Sequence, residues 1–535
     1  MSIDVDVIII GSGPAGVSAA FPLLAAGLRV LMLDGGQRAS VNSPAVPFLE
    51  ARASDPAQAR WMIGDDFHAL RNSQAISPKL RVPTHDYVFK DFAAVNRIRT
   101  SNFVAVGSLA VGGLSNAWGC GVARWSGHEL AAFPFAPEQL DLAYERVTRR
   151  MGVSGAAADD LAGYFGLDPW IQPALPMDHL HRRLAERYAT LPAGLANLGF
   201  RLGRSRVAAL SQDQGARRAC DLSGNCLYGC AKGALYSAAG DLPLLSAYPH
   251  FYYRSGTVAE SLVACDGGVQ VHGRDGEQRL TLRAAKVFLA AGTLASTGLA
   301  LRALQSDFIV PVQSSPTAAF LLWQPASLGA SRQPGFGLGQ LSFSLALNPE
   351  VEGFGSTFNT NGIPVSEFVG HMPLHRRFAI PVLRSLLSSC LVGNIFLPGS
   401  LSSASARLKQ DGTLHLEGGY RPEVVPLMRV AEQRLRAAYW KLGALLLPKS
   451  FKLGPSGGDI HYAGTLPMRH DPERGQTDAS GQLEGLRNVY VVDGASLPTL
   501  SAKSHTLTIM ANADRIGTAV AATWGERTMG SDLSR

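Results

Sequence analysis

Two histidines near the C-terminal end of the chain are the side chains best suited to transfer a proton. His461 opens the sequence HYAGTLPM, and His505 stands just before a predicted helix that runs from Thr506 to about Ala522. Because imidazole titrates near neutral pH, either side chain can act as a general base toward a hydroxyl group. The alternative is that both histidines only pack and form hydrogen bonds in a loop.

Half of the chain's six cysteines lie within eleven residues. Cys220, Cys226 and Cys230 follow the spacing C-x5-C-x3-C, with two glycines between them. Thiolates at this density can hold an iron–sulfur cluster or a zinc ion. The alternative is structural, because free cysteines are often buried as small apolar side chains. A disulfide is the less favoured structural alternative, because the sequence shows no secretory signal.

The stretch that must position these groups lies at the N-terminal end, where Asp6–Gly16 has the sequence DVIIIGSGPAG. Its β-branched run predicts a buried parallel strand, and Gly11, Gly13 and Gly16 follow as G-x-G-x-x-G. Such glycines permit a tight turn, close approach to a pyrophosphate and close helix–strand packing. A second apolar strand ends at Asp34, 18 residues beyond the last glycine. This spacing suits a ribose-binding carboxylate, so the pattern predicts a dinucleotide site.

Composition narrows the class of protein. The chain has 535 residues, of which 46% are hydrophobic and 17% charged, which predicts a folded chain of two domains. The net charge of +7 is not gathered in a long Lys/Arg run, so nucleic-acid binding is not expected. No apolar run of about 18 residues lacks a charge or a proline, so we predict no transmembrane helix and expect a cytoplasmic location.

The middle of the chain predicts the remaining elements. The glycine-rich loop Val111–Gly121 has apolar flanks, so we expect it to lie buried beside the dinucleotide. Strands are predicted at 257–271, 280–289 and 488–492, and the alternation in 341–347 is typical of antiparallel strands. The helical patterns cover 137–151, 177–188 and 426–446.

One apolar segment allows several interpretations. Residues 378–398 are apolar but contain two prolines and an arginine, and His375, Arg376 and Arg377 precede them. The segment can be a lid or a membrane-surface patch, and a core segment is the favoured alternative.

Taken together, these segments resemble the glucose–methanol–choline (GMC) family of flavin oxidoreductases. The most specific matches are H-x-x-G-T-x-x-M at 461–468, NVYVVDGASLPT at 488–499 and SHTLTIMA at 504–511. The resemblance implies an α/β and α+β chain, with a discontinuous Rossmann-type FAD-binding domain and an antiparallel-sheet substrate domain. The expected FAD-binding domain comprises 1–135, 206–310 and 451–528, and the expected substrate domain comprises 136–205 and 311–450.

The resemblance also implies roles for individual residues. His461 and His505 occupy the paired catalytic positions, with His461 as the expected base, and the opposite assignment stays open. Positions that match FAD-binding positions of the family are Gly11, Gly13, Pro14, Ala15, Gly16, Asp34, Gly112, Gly113, Ser115, Asn116, Ala117, Trp118, Val258, Ala291, Gly292, Asp493, Gly494, His505, Thr506 and Leu507.

Three departures from the family pattern stand out. Ala117 replaces a histidine that attaches FAD covalently in some members, so we expect non-covalent FAD. Trp118 replaces an asparagine near the flavin in many members, and Leu466–Pro467 replaces a polar pair. The cysteine spacing matches bacterial sugar dehydrogenases of this family that carry a [3Fe-4S] cluster on three cysteines, which leaves a cluster and structural thiols both open.

The resemblance implies FAD-dependent oxidation of a small-molecule alcohol to a carbonyl, with hydride transfer to flavin N5. We expect a dehydrogenase that passes electrons to a quinone or an acceptor protein, by way of the cluster if one forms. The alternatives are an oxygen-using alcohol oxidase, a flavin-containing lyase and a non-catalytic flavin subunit. The substrate stays unnamed, because its expected binding region, 311–450, carries no motif.

Overall fold

The structure is a computed structural model that describes residues 5–40, 42–67, 69, 77–369 and 374–532. In chain order the strands are β1 (Val5–Ile10), β2 (Val30–Asp34), β3 (Ile98–Ser101), β4 (Phe200–Arg204), β5 (Phe251–Ser255), β6 (Thr257–Cys265), β7 (Gly268–Asp275), β8 (Gln278–Leu289), β9 (Ile309–Ser314), β10 (Thr317–Trp323), β11 (Leu341–Ala346), β12 (Glu352–Asn359), β13 (Cys390–Phe396), β14 (Ala404–Leu408), β15 (Leu414–Glu417), β16 (Leu445–Leu446), β17 (Lys452–Leu453), β18 (Tyr462–Ala463) and β19 (Val489–Val491). The α-helices are Pro14–Ala25, Phe48–Ser54, Gln58–Ile63, Asp86–Phe89, Phe92–Val95, Asp141–Met151, Ala162–Phe165, His179–Thr190, Pro192–Ala196, Leu242–Leu245, Thr293–Leu304, Ser366–Val369, Arg376–Leu386, Val424–Lys441 and Thr506–Asp532.

The first sheet has the strand order β5-β2-β1-β8-β7-β6, and β19 pairs with β8. Strand β1 is parallel to both β2 and β8, whereas β6, β7 and β8 are antiparallel. The β-branched run of β1 is at most 5% exposed because helices cover both faces of the sheet. The first helix and the C-terminal helix Thr506–Asp532 share one core cluster with one face, and Thr293–Leu304 shares another with the opposite face.

The second sheet is antiparallel, with the order β16-β10-β13-β12-β11-β4 and β17 beside β10. One face packs on the helix Val424–Lys441, where Phe320, Phe343 and Tyr439 are buried together. The alternating residue pattern along these strands follows from this arrangement, because every second side chain faces the helix and the others face away from it. The prediction of antiparallel strands in this region is confirmed.

The third sheet joins segments that are far apart in the chain. Its order is β18-β9-β14-β15-β3, so strands from near both ends pair with strands from the middle. Strand β18 follows His461 directly and pairs with β9. The sheet therefore holds His461 close to strand β9. The division of the chain into two domains remains a prediction.

Several predicted elements differ in detail. The stretch 257–271, expected as one strand, is the hairpin of β6 and β7, which turns at Gly267 with a φ of +74°. The helix expected at 426–446 ends at Lys441, and Leu445–Leu446 pairs with β10 instead. The helices expected at 137–151 and 177–188 form as Asp141–Met151, after a 3₁₀ turn, and His179–Thr190.

The apolar segment 378–398 divides into two parts. Its first part belongs to the helix Arg376–Leu386, in which only Ala379 and Leu383 are buried, so a core role is wrong for this part. Its second part is strand β13 in the middle of the second sheet, where the core interpretation is right. Within the described ranges, no helix is long and apolar enough to cross a membrane.

The glycines of the first turn allow a direct test of the fold. A Cβ atom on Gly16 would overlap the carbonyl oxygen of Gly11, whereas one on Gly13 would meet nothing within 4 Å. We expect Gly16→Ala to lower the free energy of unfolding by about 1–3 kcal/mol, as in other overpacked sites. The control Gly13→Ala, at the N-cap of the same helix, should lower it by less than Gly16→Ala does, by about 1 kcal/mol at most. Urea unfolding of the flavin-free proteins measures both, and equal effects would contradict the packing role of Gly16.

Candidate active site

One large cavity connects the first turn of the chain with the open face of the second sheet. Its volume is about 570 Å³, and its walls come from the first and second sheets, the glycine-rich loop and the C-terminal segments. Most of the predicted binding residues line it: Gly11, Gly13, Pro14, Ala15, Asp34, Gly113, Ser115, Ala117, Trp118, Val258, Ala291, Gly292, Asp493, Gly494, His505 and Thr506. Gly16, Gly112, Asn116 and Leu507 lie behind this wall and are not among the lining residues.

The nucleotide end of the cavity is built by close backbone approach. Gly11 has a φ of +111°, and a Cβ atom there would overlap the carbonyl oxygen of Ala290. Gly13 lines the cavity and leaves open space where a side chain would stand. A pyrophosphate fits such a cradle, because the helix that starts at Pro14 presents free N–H groups there. Asp34 follows at the end of β2 and is 6% exposed.

Some residues of the glycine-rich loop line the cavity, and others hold the loop in place. Gly112 donates its N–H to Ser12 Oγ at 2.9 Å, which ties the loop to the first turn. Asn116 turns inward, where its Nδ2 donates to the carbonyl oxygens of Val111 and Gly113 at 2.9 and 2.8 Å. The structure thus places Gly112 and Asn116 as supports of the loop rather than on the cavity wall. Gly113 lines the cavity close to Gly13, and a Cβ atom on Gly113 would lie 3.3 Å from the Cα atom of Gly13.

A second carboxylate stands where three chain segments meet. Asp493 accepts hydrogen bonds from the N–H groups of Gly292 and Ala495, at 2.9 and 3.0 Å, and from Ser296 Oγ at 2.5 Å. Burial raises the pKa of Asp493 to about 6, and these hydrogen bonds oppose the rise. Its bonds fix the turn after β8 against the turn after β19, and both turns line the cavity.

The fold brings the two histidines together, although they are 44 residues apart in the chain. The ring centroids of His461 and His505 are 4.9 Å apart, and the ring planes make an angle of 72°. The ring of Phe396 lies 5.1 Å from that of His461, on the side of the second sheet. Both histidines line the cavity, and the 25% exposure of the His461 side chain is toward it.

Burial keeps both histidines neutral at neutral pH. It lowers the pKa of His461 to about 4 and that of His505 well below its usual value, and the neighbouring His461 adds to the second effect. His505 Nδ1 has no hydrogen-bond partner among the described residues. A neutral imidazole can accept a proton from a bound hydroxyl group through a ring nitrogen that the group can reach, whereas the Nδ1 of His505 is itself buried.

Asp459 is a site residue that the sequence analysis missed. Its carboxyl oxygen lies 3.6 Å from His461 Nδ1, and the side chain is fully buried. It accepts the N–H of Ser315 at 2.9 Å, and burial raises its pKa well above the usual value. In the sequence, the only signal for Asp459 was that it stands two residues before a candidate histidine. Its carboxyl group comes close to the imidazole only because the chain turns at Ile460.

Hydroxyl and amide side chains cross the open face of the second sheet. Ser205 Oγ lies 2.8 Å from Ser342 Oγ, which lies 2.9 Å from Ser356 Oγ on the next strand. Asn394, on the following strand, accepts the N–H of Ser356 at 3.0 Å. We call Ser205, Ser342, Ser356 and Asn394 the polar row; all four line the cavity. Phe354, Phe358 and Phe396 flank the row, so this wall is aromatic and polar without formal charge.

The predicted iron–sulfur ligands, Cys220, Cys226 and Cys230, are not supported. All three are free thiols, and no three His, Cys, Asp or Glu side chains of the described residues are grouped to hold a metal ion. Burial raises the pKa of Cys220 to about 11 and also raises that of Cys226, which favours the neutral thiol over the thiolate that a metal needs. Cys226 belongs to the largest core cluster, so the structural alternative fits the described geometry.

Comparisons with known proteins agree with both ends of the site. A family model described as GMC oxidoreductase matches residues 454–513, and one described as pyridine nucleotide-disulphide oxidoreductase matches residues 5–105. Paromamine 6'-oxidase of Streptomyces fradiae and 6'''-hydroxyparomomycin C oxidase of Streptomyces lividus are each 27% identical over 555 aligned positions, which cover 96% of this chain and 91% of theirs. The crystal structure of pyridoxine 4-oxidase from Mesorbium loti has the same fold, with a TM-score of 0.57 and 16% identity over 96% of this chain and 98% of that one.

Proposed function

We propose that this chain, which is similar to GMC oxidoreductases at 454–513 and to two named oxidases over most of its length, oxidises a small-molecule alcohol with His461 and His505 as the catalytic pair. The observation that carries this proposal is the position of the two neutral imidazoles. They stand 4.9 Å apart on a cavity that also contains the dinucleotide cradle and the polar row. A bound alcohol can therefore meet a proton acceptor and the cofactor in one enclosed space.

Bound FAD supplies the acceptor for the two electrons and the hydrogen that leave the alcohol carbon. The cavity residues fit this cofactor. Gly11 and Gly13 provide the pyrophosphate cradle, Asp34 stands at the ribose position, and Val258 lines the cavity beyond it. Gly292 and Asp493 join the two turns that face the cavity from the other side.

We propose different roles for the two histidines toward the substrate hydroxyl group. We assign His461 as the base that takes the hydroxyl proton and His505 as the group that holds the substrate oxygen. Asp459 supports His461 as a positioning residue, because its carboxyl group, 3.6 Å from Nδ1, limits how the imidazole ring can turn. Phe396 packs against the same ring and limits its orientation.

Molecular oxygen is the electron acceptor that we propose. The support is that both curated relatives are named oxidases, as is the solved structure with the same fold. This replaces the quinone or acceptor protein of the sequence-based expectation. Turnover in air-saturated buffer, compared with turnover on an artificial electron-accepting dye, distinguishes the two acceptors.

Anaerobic flavin bleaching tests the proposed reaction. A panel of alcohols is mixed with the holoenzyme without oxygen, and the absorbance near the flavin maximum is followed. At least one alcohol should bleach the flavin and yield the matching carbonyl compound. A product that forms without bleaching would favour a lyase, and no bleaching or product by any alcohol would favour a non-catalytic subunit.

The attachment of FAD is a separate prediction. Ala117 has no nucleophilic side chain at the position where some relatives link FAD covalently, and it lines the cavity. We therefore expect acid precipitation of the holoenzyme to leave yellow flavin in the supernatant. Flavin that stays with the precipitated protein would contradict the assignment of Ala117.

Histidine variants test the proton transfer. We expect His461→Ala and His505→Ala to keep the fold and FAD but to slow flavin reduction on the order of 10²–10⁴-fold, the usual contribution of a general base. The exposed His470 offers a matched control, and His470→Ala should be unaffected. Parent-like rates in both active-site variants would refute the assignment.

The pH profile of the parent enzyme gives a second check on His461. Because its pKa is lowered to about 4, the ring is unprotonated and able to act as a base above that pH. The rate of flavin reduction should therefore hold from neutral pH downward and fall as the pH drops through about 4. A fall centred near the usual histidine pKa would show a base in a more polar environment.

A further inference from the structure

Lys79 places an ammonium group on the wall of the cavity, and the reaction proposed above does not use it. The residue lies in the 3₁₀ turn Pro78–Leu80 and donates from Nζ to the carbonyl oxygen of Trp118. Burial lowers its pKa, and the groups that counteract this effect are the thiols of Cys120 and Cys226 rather than carboxylates. Lys79 is therefore a cation whose described neighbours do not neutralise it.

The other charged side chains of the cavity wall are already satisfied by the protein. Arg206 is fully buried and pairs with Asp159 and Asp168 at 2.8 and 3.1 Å. Asp34 and Asp493 accept backbone N–H groups at the nucleotide end.

Asp459 is next to His461, accepts the N–H of Ser315, and has its pKa raised toward the neutral acid. The polar row carries hydroxyl and amide groups alone. Among the described lining residues beyond the nucleotide end, Lys79 is therefore the cation without a described acidic partner, and the carboxyl group there, Asp459, has its pKa raised.

We propose that Lys79 binds an anionic oxygen-acid group, a carboxylate or a phosphate, on the alcohol substrate. The inference rests on the proposed alcohol oxidation and adds the charge class of the substrate to it. A charge-assisted hydrogen bond from a buried ammonium is worth more than one between neutral groups, and it replaces the solvation that burial removed from Lys79. The polar row and the flanking phenyl rings then hold the uncharged remainder of the molecule.

The nearest alternative is structural. The bond from Lys79 to the Trp118 carbonyl also fastens the glycine-rich loop, and a loop fastener would affect neutral and anionic ligands alike. The two roles are separated by comparing ligands that differ only in charge, on variants that differ only in the ammonium group.

Binding to the holoenzyme is measured first, by calorimetry with benzoate, phenyl phosphate, benzamide and benzylamine. In the parent protein we expect at least one of the two anions to bind about 10- to 100-fold more tightly than benzamide, and benzylamine to bind most weakly. Lys79→Met should remove this preference while keeping its FAD content. Lys409→Met, which removes an exposed lysine, should keep the preference. The anion that binds more tightly distinguishes a carboxylate site from a phosphate site.

Three results would overturn the assignment: equal binding of the anions and benzamide, an anion preference that survives in Lys79→Met, or no binding of either anion. Kinetics give an independent measure, using 4-(hydroxymethyl)benzoate and 4-(hydroxymethyl)benzamide as substrates. Lys79→Met should lower the anion-to-amide ratio of kcat/KM about 10- to 100-fold, mainly through KM. A uniform loss with both alcohols would support the structural alternative. If neither alcohol reduces the flavin, the proposed reaction fails for these compounds, and the calorimetry still decides the role of Lys79.

Discussion

The packing of the C-terminal helix Thr506–Asp532 on the first helix Pro14–Ala25 is the contact on which the site depends. It is close because Gly517 lets the two backbones approach, and a Cβ atom there would lie 2.6 Å from the carbonyl oxygen of Ala19. Arg146 pairs with Asp514 on the same helix and ties Asp141–Met151 to it. This contact brings both ends of the chain together, so that the helix begins beside the first turn and holds His505 at the cavity.

Burial controls the chemistry of the groups around that cavity. Loss of water favours the neutral form of each group, so it lowers the pKa of both histidines and raises that of Asp459 and of the thiols near the glycine-rich loop. The same effect that leaves His461 unprotonated favours the neutral thiol at Cys220 and Cys226. Burial also lowers the pKa of Lys79, so an ammonium group there needs a polar or anionic partner to stay charged.

Each of the three sheets positions a different part of the site. The first sheet supplies the turns that face the nucleotide, and the second supplies a flat wall of alternating hydroxyl, amide and phenyl groups. The third sheet pairs β18 with β9 and so fixes the position of His461, the residue directly before β18, at the cavity. Sequence patterns could predict much of the first sheet, because the β-branched run of β1 and its glycines are local signals. The sequence patterns were wrong at Gly267, where a turn with a positive φ divides the predicted strand. They were also wrong after Lys441, where the residues pair with β10 instead of continuing the helix.

The amino-acid sequence by itself predicted the glycine turn after β1, the resemblance to GMC oxidoreductases, the two candidate histidines and the antiparallel character of the middle strands. These features depend on residue type and short-range spacing, and neither depends on tertiary contacts. Only the tertiary structure decided that the two imidazoles lie 4.9 Å apart, that Asp459 stands behind one of them, and that Lys79 reaches the cavity. It also decided that Asn116 holds its loop and that the three cysteines are free thiols, of which Cys226 is buried. Contacts of this kind join residues that are distant in the chain, and burial sets their ionisation, so no local pattern could predict them.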